Sequence, residues 1–591
     1  MKTIILNYKS KSVLLFLLGL VLVIAACSKH QPTADVILHN GVIWTVDEQN
    51  PQATAVAIRG NRFSAVGSEE DVLKLQGENT QVIDLQGKFV TPGFNDNHVH
   101  FASAARFLEF NIMRVSTQEE FVQRVKEVVS KVPEGDWILG GYWGAYDAWV
   151  AGSAGGESRE PFTPDVSLVE EITRNHPMFI LKFDNSEFVA NKVALKIVGL
   201  DLKTARVPDL EIYQYQKDRL ITVLRGKGVR PLFENKIPRD FSHQRRLQQT
   251  RDALAEIRKY GVTNVSDISD DEQLQIYREL KEVGELTVRV HFRYHMERWQ
   301  ELEEQGITVG SGDEWIRLGA LKGHIDGIMG NSTARFFQPY TNDPNNYGRW
   351  RRLLVDDQGH FVEGKFLKYM LGADQAGLQM TIHAIGDEGN HLLLNYLEEL
   401  NKQNGPRDRR LRIVHAQVIA PEDFKRLGDL NVIAEVQPFH LSDDMRWMEE
   451  RIGHERCKGA YAFKTIQESG ALLCFGTDWP GTSAAEYPIN PMLGLYAAVT
   501  RQTLTGQPEN GWFPEERISM EEAIKAYTYN TAYANFEEDI KGSITVGKLA
   551  DLAVLSKNLL EIEPKEILET EVLYTIVGGE ILYSKESTDT M

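Results

Sequence analysis

Cysteine is nearly absent from this chain: three in 591 residues, at positions 27, 457 and 474. So few cysteines exclude a disulfide framework for a protein of this length. Positive charge is also in short supply. Lys and Arg total 65 against 84 Asp and Glu, a net charge of −19, which excludes the basic surface that a nucleic-acid partner requires. The apolar run at the start, Val13 to Ala26, is too short to span a bilayer comfortably. What remains is an ordinary globular composition, 42% hydrophobic and 25% charged.

The first residues form a separate unit. Lys2, Lys9 and Lys11 precede the apolar run, the basic and hydrophobic regions of an export signal. The run ends Val23-Ile24-Ala25-Ala26-Cys27, which resembles a bacterial lipobox. That resemblance implies removal of residues 1–26 and acylation of Cys27 on its thiol and new α-amine. Several acyl chains then anchor the protein in membrane lipid. Ser28 fits sorting to the outer membrane, facing the periplasm. Residues 27–34 read as a polar tether. Cys474, inside Ala471-Leu472-Leu473-Cys474-Phe475, reads as a buried apolar filler.

Both ends of the remaining chain are rich in strand signals. A hairpin pattern surrounds Arg59-Gly60-Asn61-Arg62, and Gly578-Gly579 joins two apolar runs near the C-terminus. One small β-sandwich built from 35–92 plus 540–585 accounts for both. Between them, at 93–539, apolar strands that end in polar residues alternate with helical patterns. The strands are Phe94–His98, Thr263–Asp267, Thr287–Phe292, Ile316–Lys322, Met380–Ala384, Arg412–Ala416, Val432–Pro438 and Leu472–Asp478. Leu274, Tyr277 and Val283 line one intervening helix. Eight parallel strands with helices between them specify an α/β fold, the (β/α)₈ barrel. Residues from about 104 to 245 exceed one crossover and read as a subdomain inserted after the first barrel strand. It opens with a helix capped by Ser116-x-x-Glu119 and carries the aromatics Tyr142, Trp143, Tyr146 and Trp149. These aromatics either line a substrate pocket or pack the insert.

Active sites of such barrels lie at the C-terminal strand ends. His98 and His100 end the first strand, one residue apart, so their imidazoles point the same way and can grip one metal ion. Lys322 ends the fourth strand, His383 the fifth, His415 the sixth and Asp478 the eighth. The seventh offers Gln437 and, just beyond, His440.

The motifs holding these residues, in this order, resemble the amidohydrolase superfamily. They run from Thr91-Pro92-Gly93-Phe94 through Gly319-Ala320-Leu321-Lys322-Gly323-His324-Ile325-Asp326-Gly327, His383-Ala384-Ile385-Gly386-Asp387, Val414-His415-Ala416-Gln417, Gln437-Pro438-Phe439-His440 and Gly476-Thr477-Asp478-Trp479-Pro480 to Gly547-Lys548-Leu549-Ala550-Asp551-Leu552. Within the superfamily the chain looks like the amidohydrolase-3 (YtcJ-like) group, which includes N-substituted formamide deformylases. The resemblance implies that His98 and His100 bind a buried metal, that His383 and His415 bind a second, and that Asp478 contacts the first and acts as general base. It implies two zinc ions, with iron or manganese as alternatives. It also implies a CO₂-derived carbamate on Lys322 that bridges them, since an ammonium has no lone pair for a cation. Asp326, Ser186, Gln437 and His440 are the substrate-contact candidates.

The implied function is hydrolysis of a non-peptide C–N bond, an amide, N-acyl or N-formyl bond, by metal-activated hydroxide acting on a small molecule. Alternatives are an esterase, lactonase or phosphotriesterase with the same metals, or a non-catalytic solute-binding lipoprotein. Nucleobase deaminases of this fold carry a Glu three residues after the strand-five histidine, where Gly386 stands here, and lack the strand-four lysine. One departure is Asp184-Asn185-Ser186, followed by Asn191, where the group shows Asp-Gly-His and then Asn. A homodimer is compatible with the sequence.

Overall fold

The computed structural model describes residues 33–144, 162–202, 211–216, 220–238, 241–481 and 485–585. Cys27, the segment 1–26, most of the tether, Tyr146 and Trp149 lie outside the described residues.

Eight strands form one all-parallel sheet in sequential order. They are β1 (Phe94–Val99), β2 (Val262–Asp267), β3 (Arg289–His295), β4 (Ile316–His324), β5 (Gln379–Ala384), β6 (Arg412–His415), β7 (Ile433–Val436) and β8 (Leu472–Phe475). The expected strands are all present, with β3 shifted toward its C-terminal end and β8 ending before its chemistry-bearing residues. Helices such as Asp271–Glu282 and Asp387–Asn404 cover the outside, giving a nearly closed (β/α)₈ barrel.

The seam between β1 and β8 is closed beyond the last ladder. Asp478 N donates to His98 O at 2.8 Å, and His100 N donates to Trp479 O at 2.8 Å. Asp96 reinforces the seam, its carboxylate accepting from Thr477 N at 3.0 Å and Thr477 Oγ1 at 2.6 Å. Gly476 permits this approach, because a Cβ there would sit 2.7 Å from His98 N. Closure therefore delivers His98, His100 and Asp478 to one point.

The strands are buried on both faces, as parallel sheets require, yet alternate residues differ in kind. Val265, Phe292, Met380, Ile413 and Ala434 join the apolar core. Their neighbours are polar and bond across the barrel: Arg412 Nη1 donates to Asn97 Oδ1 at 2.7 Å, and Arg293 Nη2 to Asn97 O at 2.7 Å. The barrel interior is thus charged and hydrogen-bonded instead of filled with branched aliphatics.

Two further sheets pack around Leu38, Val56, Phe63, Val90, Leu552 and Ile576. One holds four strands from the N-terminal part. The other combines Val42–Trp44, Gln52–Ala53 and Phe89–Pro92 with Leu552–Leu555, Val572–Val577 and Glu580–Ser584. A buried ion pair, Arg289 to Asp551 at 2.7 Å, ties this unit to β3. Between β1 and β2 lies a five-stranded sheet with its own apolar cluster.

Two local expectations are corrected, and one open alternative is resolved for Trp143. The helix Gln118–Val129 is capped by Thr117, whose side chain accepts from Glu120 N at 3.2 Å. Glu120, not Glu119, reaches back to Ser116 N at 2.9 Å, because that register satisfies both free N–H groups at once. Val283 is 65% exposed: the helix ends at Glu282, so Val283 falls off its apolar face. Trp143 is buried in the core of the inserted sheet, so it serves packing. Cys457 and Cys474 are buried and free, and among the described residues no helix is long and apolar enough to cross a membrane.

Candidate metal centre

Asp478 is the focus of the C-terminal mouth. Its Oδ1 lies 3.4 Å from His98 Nε2 and 3.3 Å from His100 Nε2, and its Oδ2 lies 3.9 Å from His440 Nε2. Potential donor atoms of His98, His100 and Asp478 all fall within 4.8 Å of one another, and so do those of His415, His440 and Asp478. His383 packs edge-on against His415, with ring centres 4.6 Å apart. Asp478 (φ 61°) and His415 (φ 75°) adopt left-handed backbone conformations. Strain of this kind concentrates at functional sites, at about 1–3 kcal/mol per residue.

The outer hydrogen bonds set which ring nitrogen is free. His98 Nδ1 donates to Glu435 Oε1 at 2.8 Å, which leaves Nε2 facing Asp478. His415 Nδ1 donates to Gln437 Oε1 at 2.7 Å, again leaving Nε2 free. His383 uses the opposite nitrogen, donating from Nε2 to Gly327 O at 2.9 Å and leaving Nδ1. Each ring therefore turns a lone pair away from its anchor, the arrangement a metal ligand needs.

Burial fixes the protonation states. It drives His98 and His383 well below the ordinary imidazole value, His415 to about 3 and His440 to about 4. Burial also lowers the Lys322 amine to about 7, against the pull of Glu435 and with the push of Arg293. For Asp478 burial acts upward, but the His100 hydrogen bond and the charges of His100, His415 and His440 prevail and hold the carboxyl at about 2. Burial thus leaves His98, His383, His415 and His440 neutral at neutral pH beside an ionised Asp478.

This donor set fits a divalent cation. Imidazole and carboxylate suit zinc, iron or manganese, and His440 Nε2 is a buried nitrogen with no hydrogen-bond partner. Lys322 is 2% exposed and lies close enough to His98, His383 and His415 to depress all three.

The other candidates occupy different positions. Asp326 and Gln437 stand behind the imidazoles: Asp326 accepts N–H bonds from Arg335, Ile385 and Gly386 at 2.8, 3.0 and 2.8 Å, while Gln437 anchors His415. His440 faces the cavity, its ring 3.9 Å from that of Tyr487. Ser186 sits in an exposed turn, its hydroxyl donating to Asp184 Oδ1 at 2.6 Å, and does not line the cavity. Asn191 is structural, capping the helix Lys192–Val198.

Sequence reasoning missed several residues here. His324 lies two positions after Lys322 on the same face of β4 and lines the cavity, a signal that strand periodicity carries. Glu435, Arg351, Asp444 and Tyr487 have no such signature. The cavity above the cluster measures about 220 Å³ and is lined also by Arg351, Met329 and Tyr487.

Comparison with known proteins agrees with this geometry. The pattern of the family described as "Amidohydrolase family" matches residues 81–583. The protein LONG AFTER FAR-RED 3 of Arabidopsis thaliana is 34% identical over 570 residues, covering 93% of this chain and 92% of its own. An N-substituted formamide deformylase of Arthrobacter pascens is 24% identical, covering 93% and 98%. A metal-dependent hydrolase from Pyrococcus furiosus, of solved structure, is 25% identical with a TM-score of 0.67, covering 89% of this chain and all of its own.

Proposed function

The chain belongs to the amidohydrolase family, and from that premise we propose that it hydrolyses a non-peptide C–N bond, an N-acyl or N-formyl amide, in a metal-dependent reaction. The observation that carries the reading is the convergence of His98, His100, His415 and His440 on the ionised Asp478.

His98, His100 and Asp478 would hold one divalent ion, and His383 and His415 a second, with Lys322 bridging as its carbamate. Such ions would acidify a bound water toward neutral pH and polarise the scissile carbonyl. Asp478 takes a proton from the attacking water and returns it to the departing amine. A carboxylate held near 2 is fully ionised at neutral pH. Glu435, Gln437 and Gly327 O hold the imidazoles in the required tautomers. Burial of Lys322 favours the neutral amine, the form that reacts with CO₂.

An amide is favoured over a nucleobase because Gly386 stands where deaminases of this fold carry a carboxylate. The name of the Arthrobacter relative supports the same class. The complete ligand set argues against a mere solute-binding module. The reading includes export and acylation of Cys27.

The test is turnover by metal-replete protein on N-formyl and N-acyl amides beside esters, lactones and phosphotriesters. Amine release faster than cleavage of the other bonds supports the reading. Cleavage of esters or phosphotriesters without any amide turnover overturns it.

A further inference from the structure

One cation on the cavity wall forms no ion pair among the described residues. Arg351 follows the bridge that pairs Asp326 with Trp350, on the segment returning after β4. Its backbone N–H donates to Ile325 O at 2.9 Å, and its Nε donates to Asp326 O at 2.8 Å. The guanidinium is thus fixed at its root beside His324 and His383. Its Nη1–Nη2 edge has no hydrogen bond or ion pair among the described residues.

The acids around it are committed elsewhere. Asp326 accepts three backbone N–H bonds. Asp444 accepts from Gln417 Nε2 at 2.7 Å and Tyr461 Oη at 2.6 Å. Asp478 belongs to the imidazole cluster. The like charge of Arg349 acts on Arg351 as well, against a smaller attraction from Asp326. A half-buried guanidinium edge without a bonded partner is unfavourable, and that free edge matches the two oxygens of a carboxylate in fork geometry.

We propose that Arg351 binds a carboxylate carried by the substrate, so that the bond cleaved at the Asp478 cluster belongs to an amide bearing an acid group, such as a small N-acyl or N-formyl amino acid. The inference rests on the C–N hydrolase reading above and narrows its substrate class. The cavity, about 220 Å³, suits a small acid.

Two measurements on metal-replete protein test it. The first is kcat/KM for N-formylglycine against its neutral isostere N-formylglycinamide, in wild type, Arg351→Met and Arg351→Lys. The second is calorimetric binding of propionate to the same three proteins, which needs no turnover. Wild type should prefer the acid by at least about tenfold, and propionate should bind at least about tenfold more weakly to Arg351→Met. Arg351→Lys keeps the charge but not the fork and should fall between them, which separates recognition from misfolding. Propionate held by metal alone would bind all three proteins equally. Equal binding, no binding to wild type, or an acid preference that survives Arg351→Met overturns the proposal. If neither amide is turned over while propionate binding still depends on Arg351, the anion site stands, and the C–N reading fails only if the wider amide panel is also not turned over while esters or phosphotriesters are.

Discussion

Glu435 Oε1 accepts a hydrogen bond from His98 Nδ1 at 2.8 Å while Arg293 grips both Glu435 oxygens, Nη1 to Oε1 and Nη2 to Oε2, at 2.8 Å each. All three side chains are fully or almost fully buried. The metal-facing nitrogen of His98 is therefore set by a carboxylate that is itself immobilised from behind. Partners of this kind orient a ligand and raise its basicity. Glu435→Gln keeps the shape but weakens both contacts, and metal affinity should fall by about 10- to 100-fold. Glu435→Ala additionally strands Arg293 and Arg412 and should cost about 3–5 kcal/mol of stability. Chelator competition reads the first effect and denaturant unfolding the second.

Gly476→Ala should loosen the barrel seam. The added Cβ would meet His98 N at 2.7 Å and Asp96 Oδ1 at 2.9 Å, and neither backbone nor clamp can move away cheaply. A loss of about 1–3 kcal/mol is expected, together with lower metal content, because His98 moves with the seam. Thermal unfolding and elemental analysis of the variant check both.

Asp444 gives a pH dependence with a definite sign. Burial, with Asp443 beside it, raises its carboxyl from 3.8 to about 7, while Tyr461, Arg451 and Gln417 oppose the rise. A carboxyl raised on folding contributes stability that is fully present below its unfolded value and is lost as pH climbs through about 7. Wild type should therefore lose stability relative to Asp444→Asn between about pH 3 and about pH 8, by up to about 4 kcal/mol. Unfolding curves of the two proteins across that range test it; parallel curves would refute it.

Acylation of Cys27 should fix the protein to membranes. Wild type expressed in a bacterium should take up radioactive palmitate and sediment with the membrane fraction, and Cys27→Ser should do neither. Absence of label on wild type would exclude the anchor.

The barrel was legible because its strands are apolar stretches with polar ends, several of them carrying a metal-ligand type, as at Gln379–Ala384 and Arg412–His415. His98, Lys322, His383, His415 and Asp478 could be found one strand at a time by that rule. The apparatus behind them could not. Glu435, Arg293 and Arg412 are charged residues that a sequence reading assigns to the surface; only barrel closure turns them into a mutually satisfied layer. The same closure makes Trp479, beyond the last strand, the partner of Val99. Arg351 lies on an irregular return segment, where no periodicity announces a side chain's direction. Ser186 was singled out by its family position, yet it lies in an exposed Asp184 turn that local hydrogen bonds explain.

The imidazole–carboxylate cluster as a metal centre is the core of the proposed chemistry, and metal content per chain tests it most directly. Elemental analysis of the purified, metal-supplemented protein should find one to two equivalents of a divalent transition metal, about two if Lys322 bridges a pair. His98→Ala and His415→Ala should each bind less than the wild type. A folded wild type that retains no metal after supplementation, or variants that retain the full amount, would contradict it.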